Sequence, residues 1–137
     1  MEIEVNLVNK AYHFEAKNEG GNIVNIDASP AIGGENKGVR PMELLIMGLG
    51  GCSGIDVLSI LRKQKIEPEG FRVTLHAERE KDKTPSLFTD IHLKFIFKGA
   101  IDEKKAQRAM ELSMDKYCSV AKTLEKTAKI TYELVVE

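Results

Sequence analysis

The stretch that decides the fold is PMELLIMGLGGCSGIDVLSILRK, which runs from Pro41 to Lys63. Its large apolar residues are spread around all sides of a helix instead of forming one stripe, so we predict a helix that is buried on most sides. Proline at position 41 suits the first turn of that helix. Four glycines interrupt the segment around Cys52, and each costs about 1 kcal/mol relative to alanine in a helix interior. A compensating contact is therefore expected.

The glycines form two pairs at helical spacing. Gly48 and Gly51 are three positions apart, and Gly50 and Gly54 are four apart, so each pair bares one side of the helix. We predict that another helix, or the same helix of a second copy of the chain, lies against the backbone near Cys52.

Glycine-rich segments also bind nucleotides or carry nucleophiles, but the details here do not fit. Ser53 occupies the third glycine position of GxGxxG, and no Walker lysine follows. Ile55 stands where a GxSxG nucleophile elbow requires glycine. Neither nucleotide binding nor serine hydrolase chemistry is predicted.

Length and composition indicate a single domain over residues 1–137. Apolar residues make up 42% of the chain, and 20 basic residues face 21 acidic ones for a net charge of −1, so no nucleic-acid partner is expected. The N-terminal segment MEIEVNLVNK has no signal-peptide pattern, which favours a cytoplasmic location. The uncharged run 44–55 ends at charged residues and is shorter than a membrane span, so no membrane partner is expected.

The remaining pattern predicts an α+β fold. Three short N-terminal strands form an antiparallel meander, and a glycine-rich loop over 28–38 leads to the long helix. Two alternating runs around 72–78 and 90–98 form a hairpin across the polar linker Lys81–Ser86. Asp102 caps a second helix, Cys118 falls at the end of that helix, and a strand over 130–136 closes the chain.

The two cysteines allow two interpretations. Free cysteine is often a buried, inert hydrophobe. Alternatively, Cys52 is a nucleophile and Cys118 its resolving partner, which requires that folding bring them together. The pair is 66 positions apart and the three histidines form no compact ligand pair, so no metal site is predicted.

Several motifs together resemble the OsmC/Ohr family. They are Pro41-Met42-Glu43-Leu44-Leu45, Leu49-Gly50-Gly51-Cys52, Asp56-Val57 and Lys116-Tyr117-Cys118-Ser119-Val120. The resemblance implies an OsmC-like fold and an intertwined homodimer, with central cysteine-bearing helices packed between antiparallel β-sheets. Such packing would explain the glycines.

The resemblance also implies an activity, that of a thiol-dependent hydroperoxide reductase in oxidative stress defence. Cys52 would be the peroxidatic cysteine and Cys118 the resolving one, a dithiol would reduce their disulfide, and no cofactor would be needed. Apolar side chains at Met42, Leu45 and Leu49 would favour organic hydroperoxides over hydrogen peroxide.

The family's thiolate-supporting pair is not in its usual place. Peroxidases of the family carry an arginine in the N-terminal strands and a glutamate directly after the motif proline, whereas no arginine precedes Arg40 here and Met42 follows the proline. Arg40 and Glu43 are therefore the candidate catalytic support. The alternative is a non-peroxidatic OsmC-like dimer that binds an apolar small molecule near Cys52.

Overall fold

The computed structural model describes residues 1–137 as two compact units, Met1–Leu45 and Ile46–Glu137. The elements are β1 (Ile3–Leu7), β2 (Phe14–Asn18), β3 (Ile23–Ile26), α1 (Pro41–Lys63), β4 (Gly70–Arg79), β5 (Phe88–Lys98), α2 (Glu103–Leu112), α3 (Ser119–Leu124) and β6 (Lys129–Val136), with a 3₁₀ turn at Pro30–Ile32 and a π-helical turn at Ser113–Tyr117. The predicted α+β class is confirmed. The assignment of residues 1–137 to one domain stays a prediction.

The first unit contains the predicted meander, a three-stranded antiparallel sheet in the order β1-β2-β3. Alternation along the strands places apolar residues of all three on one face, because Val5 pairs with Ala16 and Ala16 with Val24. Val5 and Val24 are 52% and 42% exposed, respectively. The apolar face of this sheet is thus only partly covered within one chain.

A buried aspartate organises the loop between β3 and α1. Asp27 accepts hydrogen bonds from the backbone N–H groups of Ala28, Glu35 and Lys37 at 2.7, 3.1 and 3.0 Å. These bonds, led by that from Lys37, hold the pKa of the Asp27 carboxyl below its usual range against the opposing effect of burial. The loop is therefore tied to one ionised side chain.

The second unit contains a sheet in the order β4-β5-β6. Strands β4 and β5 form the predicted hairpin, in which Val73 pairs with Phe95 and Leu75 with Leu93. Strand β6 runs parallel to β5, so the prediction of purely antiparallel sheets is corrected for this sheet. The reason is the long connection through α2, the π-helical turn and α3, which lets β6 start beside the same end of the sheet as β5.

The core of the second unit lies on one face of this sheet. Leu93, Phe95 and Phe97 of β5 are fully buried, as are Ala106 and Met110 of α2. The predicted cap of α2 is confirmed, since the Asp102 side chain accepts a hydrogen bond from the backbone N–H of Lys105 at 3.1 Å.

Helix α1 begins at Pro41 as predicted, but one chain does not bury most of its surface. The buried residues are Leu49, Ser53, Gly54, Val57 and Leu61. On the opposite side, Met47, Gly48, Gly51 and Ile55 are exposed, and we call these four residues the outer face of α1. Ile55 is 71% exposed. The prediction of burial on most sides is wrong for the single chain, because this side of the helix is exposed in it.

The two glycine pairs have different environments. A methyl group added at Gly50 would lie 2.9 Å from Leu75 Cδ1, and one added at Gly54 would lie 3.6 Å from Phe71 and 3.7 Å from Val73. Gly50 and Gly54 therefore face strand β4, a sheet contact instead of the predicted helix contact, and only at Gly50 is the approach closer than a methyl group would ordinarily allow. Methyl groups added at Gly48 and Gly51 would meet open space.

By length and composition alone, α1 is long and apolar enough to cross a membrane. Core helices of soluble proteins meet the same criterion. Here one side of the helix packs on β4, and the Asp56 carboxylate in its middle accepts a hydrogen bond from Ser113. These contacts are those of a core helix.

Candidate functional site

The two cysteines occupy different local environments. Cys52 lies in the middle of α1, beside the outer face, and is half-buried. Cys118 follows the π-helical turn and is fully buried at the N-terminus of α3, where its Sγ accepts a hydrogen bond from the backbone N–H of Ala121 at 3.4 Å. Only Cys52 is therefore open to a molecule arriving from solvent.

Folding brings these distant cysteines together, as the nucleophile interpretation requires. The Sγ atoms of Cys52 and Cys118 and a carboxylate oxygen of Asp56 all lie within 4.8 Å of one another. Both cysteines are free thiols. Asp56 stands four positions after Cys52 on α1, so the two side chains share one side of the helix. We call Cys52, Asp56 and Cys118 the thiol cluster.

Ser113 connects the two halves of the thiol cluster. Its hydroxyl donates a hydrogen bond to Asp56 Oδ2 at 2.9 Å, and its carbonyl oxygen accepts one from the backbone N–H of Cys118 at 2.8 Å. The π-helical turn that begins at Ser113 thus sets the position of Cys118 relative to α1. Turns of this type often occur at functional sites.

The electrostatic environment separates the two thiols. Burial raises the pKa of the Cys118 thiol from 9.0 to about 11, and the nearby Cys52 adds to the rise, while the backbone N–H groups of Ala121 and Val120 oppose it. At neutral pH Cys118 is therefore a protonated thiol, and it needs a proton acceptor before it can act as a nucleophile.

The predicted supporting residues, Arg40 and Glu43, lie in the first unit at the start of α1. The Glu43 carboxylate accepts a hydrogen bond from the backbone N–H of Arg40 at 2.7 Å, which is the reciprocal half of a capping box. The Arg40 guanidinium donates to the Gly38 carbonyl and to the Asn36 side chain. The two side chains thus serve local structure, and their support of the thiolate stays a prediction.

A surface cleft of about 570 Å³ adjoins the thiol cluster at Asp56. Its other lining residues are Ser59, Ile60, Lys63, Gln64, Leu112 and Tyr117. Cys52 is not part of this lining. Leu49, expected as an apolar wall near Cys52, is fully buried in the core of the second unit instead.

The sequence alone did not identify Asp56 and Ser113 as site residues. The available signal for Asp56 was its position four residues after Cys52 and its charge in the middle of the helix, directly after the uncharged run 44–55. Ser113 carried no comparable signal, because its role depends on a turn type that the sequence does not specify.

Comparisons with known proteins agree on one family. A family model described as OsmC-like protein matches residues 34–133. Protein YhfA of Escherichia coli K12 is 46% identical over 103 residues, which cover 73% of this chain and 76% of YhfA. The structure of a hypothetical protein from Aquifex aeolicus VF5 has 34% identity and a TM-score of 0.80, covering 99% of this chain and 96% of that one.

A more distant structure bears a functional name. The structure of an organic hydroperoxide resistance protein OsmC from Legionella pneumophila, also described as a predicted redox protein, has a TM-score of 0.72, and the match covers 98% of this chain and 97% of that one. Its sequence identity is 12%, so the likeness concerns the fold.

Proposed function

This chain belongs to the OsmC-like protein family, and from that premise we propose that it is a thiol-dependent reductase of organic hydroperoxides that acts in oxidative stress defence. The observation that carries the proposal is the thiol cluster, in which one accessible and one buried cysteine lie within 4.8 Å. An accessible thiol beside a resolving thiol is the arrangement that reversible cysteine oxidation requires.

In the first step, the Cys52 thiolate attacks one oxygen of the hydroperoxide. The S–O bond forms as the O–O bond breaks, and the leaving alkoxide takes a proton and departs as an alcohol. Cys52 is oxidised to a sulfenic acid by two electrons. Cys52 takes this role because Cys118 is buried and protonated.

In the second step, Cys118 attacks the sulfur of the Cys52 sulfenic acid. The S–S bond forms, the S–O bond breaks, and hydroxide leaves as water after it gains a proton. The Cys118 thiol must lose its proton in this step, and we assign its acceptance to the Asp56 carboxylate, which lies within 4.8 Å of both sulfurs. A dithiol then reduces the disulfide by exchange.

We further propose that the working form is a homodimer. The apolar face of the first sheet is half exposed, and the outer face of α1 combines the exposed Met47 and Ile55 with two glycines at which an added methyl group would meet open space. A second copy would cover such surfaces. Sedimentation at micromolar concentration should give a dimer, and a folded monomer of 15.3 kDa would refute this part of the proposal.

The reductase proposal is tested by adding one equivalent of an alkyl hydroperoxide, or of hydrogen peroxide in parallel, to the reduced protein. Peptide mass mapping should show a Cys52–Cys118 disulfide, formed faster with the alkyl hydroperoxide. Cys118→Ser should instead retain a sulfenic acid on Cys52 that a dimedone probe traps, and Cys52→Ser should leave Cys118 reduced.

Asp56→Asn tests the proton acceptor. Sulfenic acid should form at the wild-type rate, while disulfide formation slows by about 10²-fold, since general base catalysis contributes about 10²–10⁴. If both wild-type thiols stay reduced while a known thiol peroxidase in the same tube is oxidised, the reductase proposal fails. Binding of an apolar ligand near Cys52 then becomes the better account.

A further inference from the structure

The thiol cluster also has the composition of a metal site. We propose that the reduced protein binds one thiophilic divalent cation of the Zn²⁺ class per chain through Cys52, Asp56 and Cys118. Binding of a cation does not require peroxide turnover, so this inference stands apart from the proposed reductase activity.

The distances suit a tetrahedral ion. Zinc binds thiolate sulfur at about 2.3 Å and carboxylate oxygen at about 2.0–2.2 Å, which places neighbouring ligand atoms about 3.5–3.8 Å apart. The three donor atoms of the cluster already lie within 4.8 Å of one another. The donor atoms are therefore within about 1 Å of the spacing that a tetrahedral zinc ion requires. The sequence predicted no metal site because Cys52 and Cys118 are 66 positions apart. In the fold, however, residues of α1 and the residue that follows the π-helical turn come together and form the cluster.

The donors select the class of ion. Zinc binds cysteine as thiolate, so its binding would release the Cys118 proton, which leaves to solvent, and zinc affinity would rise with pH. Two thiolates favour zinc and other thiophilic ions, whereas Mg²⁺ and Ca²⁺ prefer sites built of oxygen alone. The carboxylate is already oriented for binding, because the Ser113 hydroxyl donates to Asp56 Oδ2 at 2.9 Å. Such hydrogen bonds to ligating groups are a regular part of protein metal sites.

The cluster supplies three protein ligands and leaves the fourth position free. Cys52 is half-buried, so water can complete the coordination from its exposed side. A bound cation would occupy both sulfurs at once. The cation and a hydroperoxide would therefore compete for Cys52, and formation of a Cys52–Cys118 disulfide would remove two of the three ligands.

The test is a titration of fully reduced, full-length protein with Zn²⁺ in competition with a chromogenic zinc chelator, without peroxide. We expect one zinc per chain above the background of Cys52→Ser/Cys118→Ser. Asp56→Asn should weaken zinc binding by at least about 10–100-fold, because loss of a direct ligand should cost no less than loss of an outer-shell partner. Asp90→Asn, which changes an exposed carboxylate on β5, is the matched control and should bind like wild type.

A second readout uses the unsubstituted protein and so avoids any question of folding. Co²⁺ bound in place of zinc should give a thiolate-to-metal charge-transfer band, and one equivalent of zinc should protect both cysteines from alkylation. The inference is overturned if wild type binds no more zinc than the double cysteine variant. It is equally overturned if Asp56→Asn binds as tightly as Asp90→Asn. Both results are obtained without peroxide, so a failure here is distinguishable from failure of the reductase proposal.

Discussion

Cys118 should make the folded protein less stable as the pH rises from about 9 to about 11. Its pKa is raised from 9.0 to about 11, chiefly by burial, and one pKa unit corresponds to about 1.4 kcal/mol. Below pH 9 the Cys118 thiol is protonated in both the folded and the unfolded chain, so its full contribution to the free energy of unfolding is present. Between the two values the unfolded chain loses the proton while the folded chain retains it, so about 3 kcal/mol of stability is lost.

A pair of variants isolates this effect from all other titrations. Cys52→Ser retains Cys118, and Cys52→Ser/Cys118→Ala lacks it, so the difference between their free energies of unfolding reports Cys118 alone. Urea unfolding followed by circular dichroism, with reductant and chelator present, should show a constant difference up to about pH 9 and a change of up to about 2–3 kcal/mol by pH 11, because burial, the main cause of the raised pKa, is retained while the contribution of Cys52 is removed. A difference that stays constant to pH 11, or changes below pH 8, would refute the assignment of Cys118 as the protonated, second-acting thiol.

Three further predictions follow from other parts of the chain. Gly54→Ala should raise the free energy of unfolding by about 1 kcal/mol in urea titrations, because its methyl group fits at van der Waals distance. Gly51→Ala should instead weaken the proposed dimer about tenfold in sedimentation, and a dimer dissociation constant equal to that of wild type would contradict this expectation. Arg40→Ala should lower any peroxidase rate about tenfold or more. Arg62→Ala, which breaks only an exposed ion pair, should lower that rate less than twofold, and equal losses in the two variants would exclude Arg40 as the support of the thiolate. Asp27→Asn should lower the melting temperature at pH 7, because the Asp27 carboxyl, whose pKa is lowered in the fold, stabilises the protein while it is ionised. The difference in melting temperature from wild type should shrink as the pH falls through and below 3.8, and a difference that persists at pH 2 would contradict this explanation.

Local patterns predicted most of the elements. Proline at position 41 marked the start of α1, alternation marked the β4–β5 hairpin, and Asp102 marked the cap of α2. Each depends on residues close in sequence. The parallel pairing of β6 was missed because it depends on the path of the chain after β5, which local alternation does not report.

The site was predictable only in part. The two cysteines were identified, but their distance depends on the hydrogen bonds of Ser113, which joins the π-helical turn to Asp56. Nothing local in the sequence specifies those bonds. Support of the thiolate by Arg40 and Glu43 is inferred from the resemblance to the family's arginine–glutamate pair. The structure adds a local role, because the Glu43 carboxylate caps the start of α1 through the backbone N–H of Arg40.

The four glycines around Cys52 form two pairs that lie in different environments. Gly50 and Gly54 face strand β4, where a methyl group at Gly50 would lie 2.9 Å from Leu75 Cδ1 and require that side chain to shift, while one at Gly54 would fit at van der Waals distance. A methyl group at Gly48 or Gly51 would meet open space, so no close approach within the chain offsets their cost of about 1 kcal/mol each. A second copy packed on the outer face would offset that cost. Because Cys52 borders this face, the same packing would also determine the route by which a hydroperoxide reaches the thiol, and dimerisation and substrate choice would then depend on one surface.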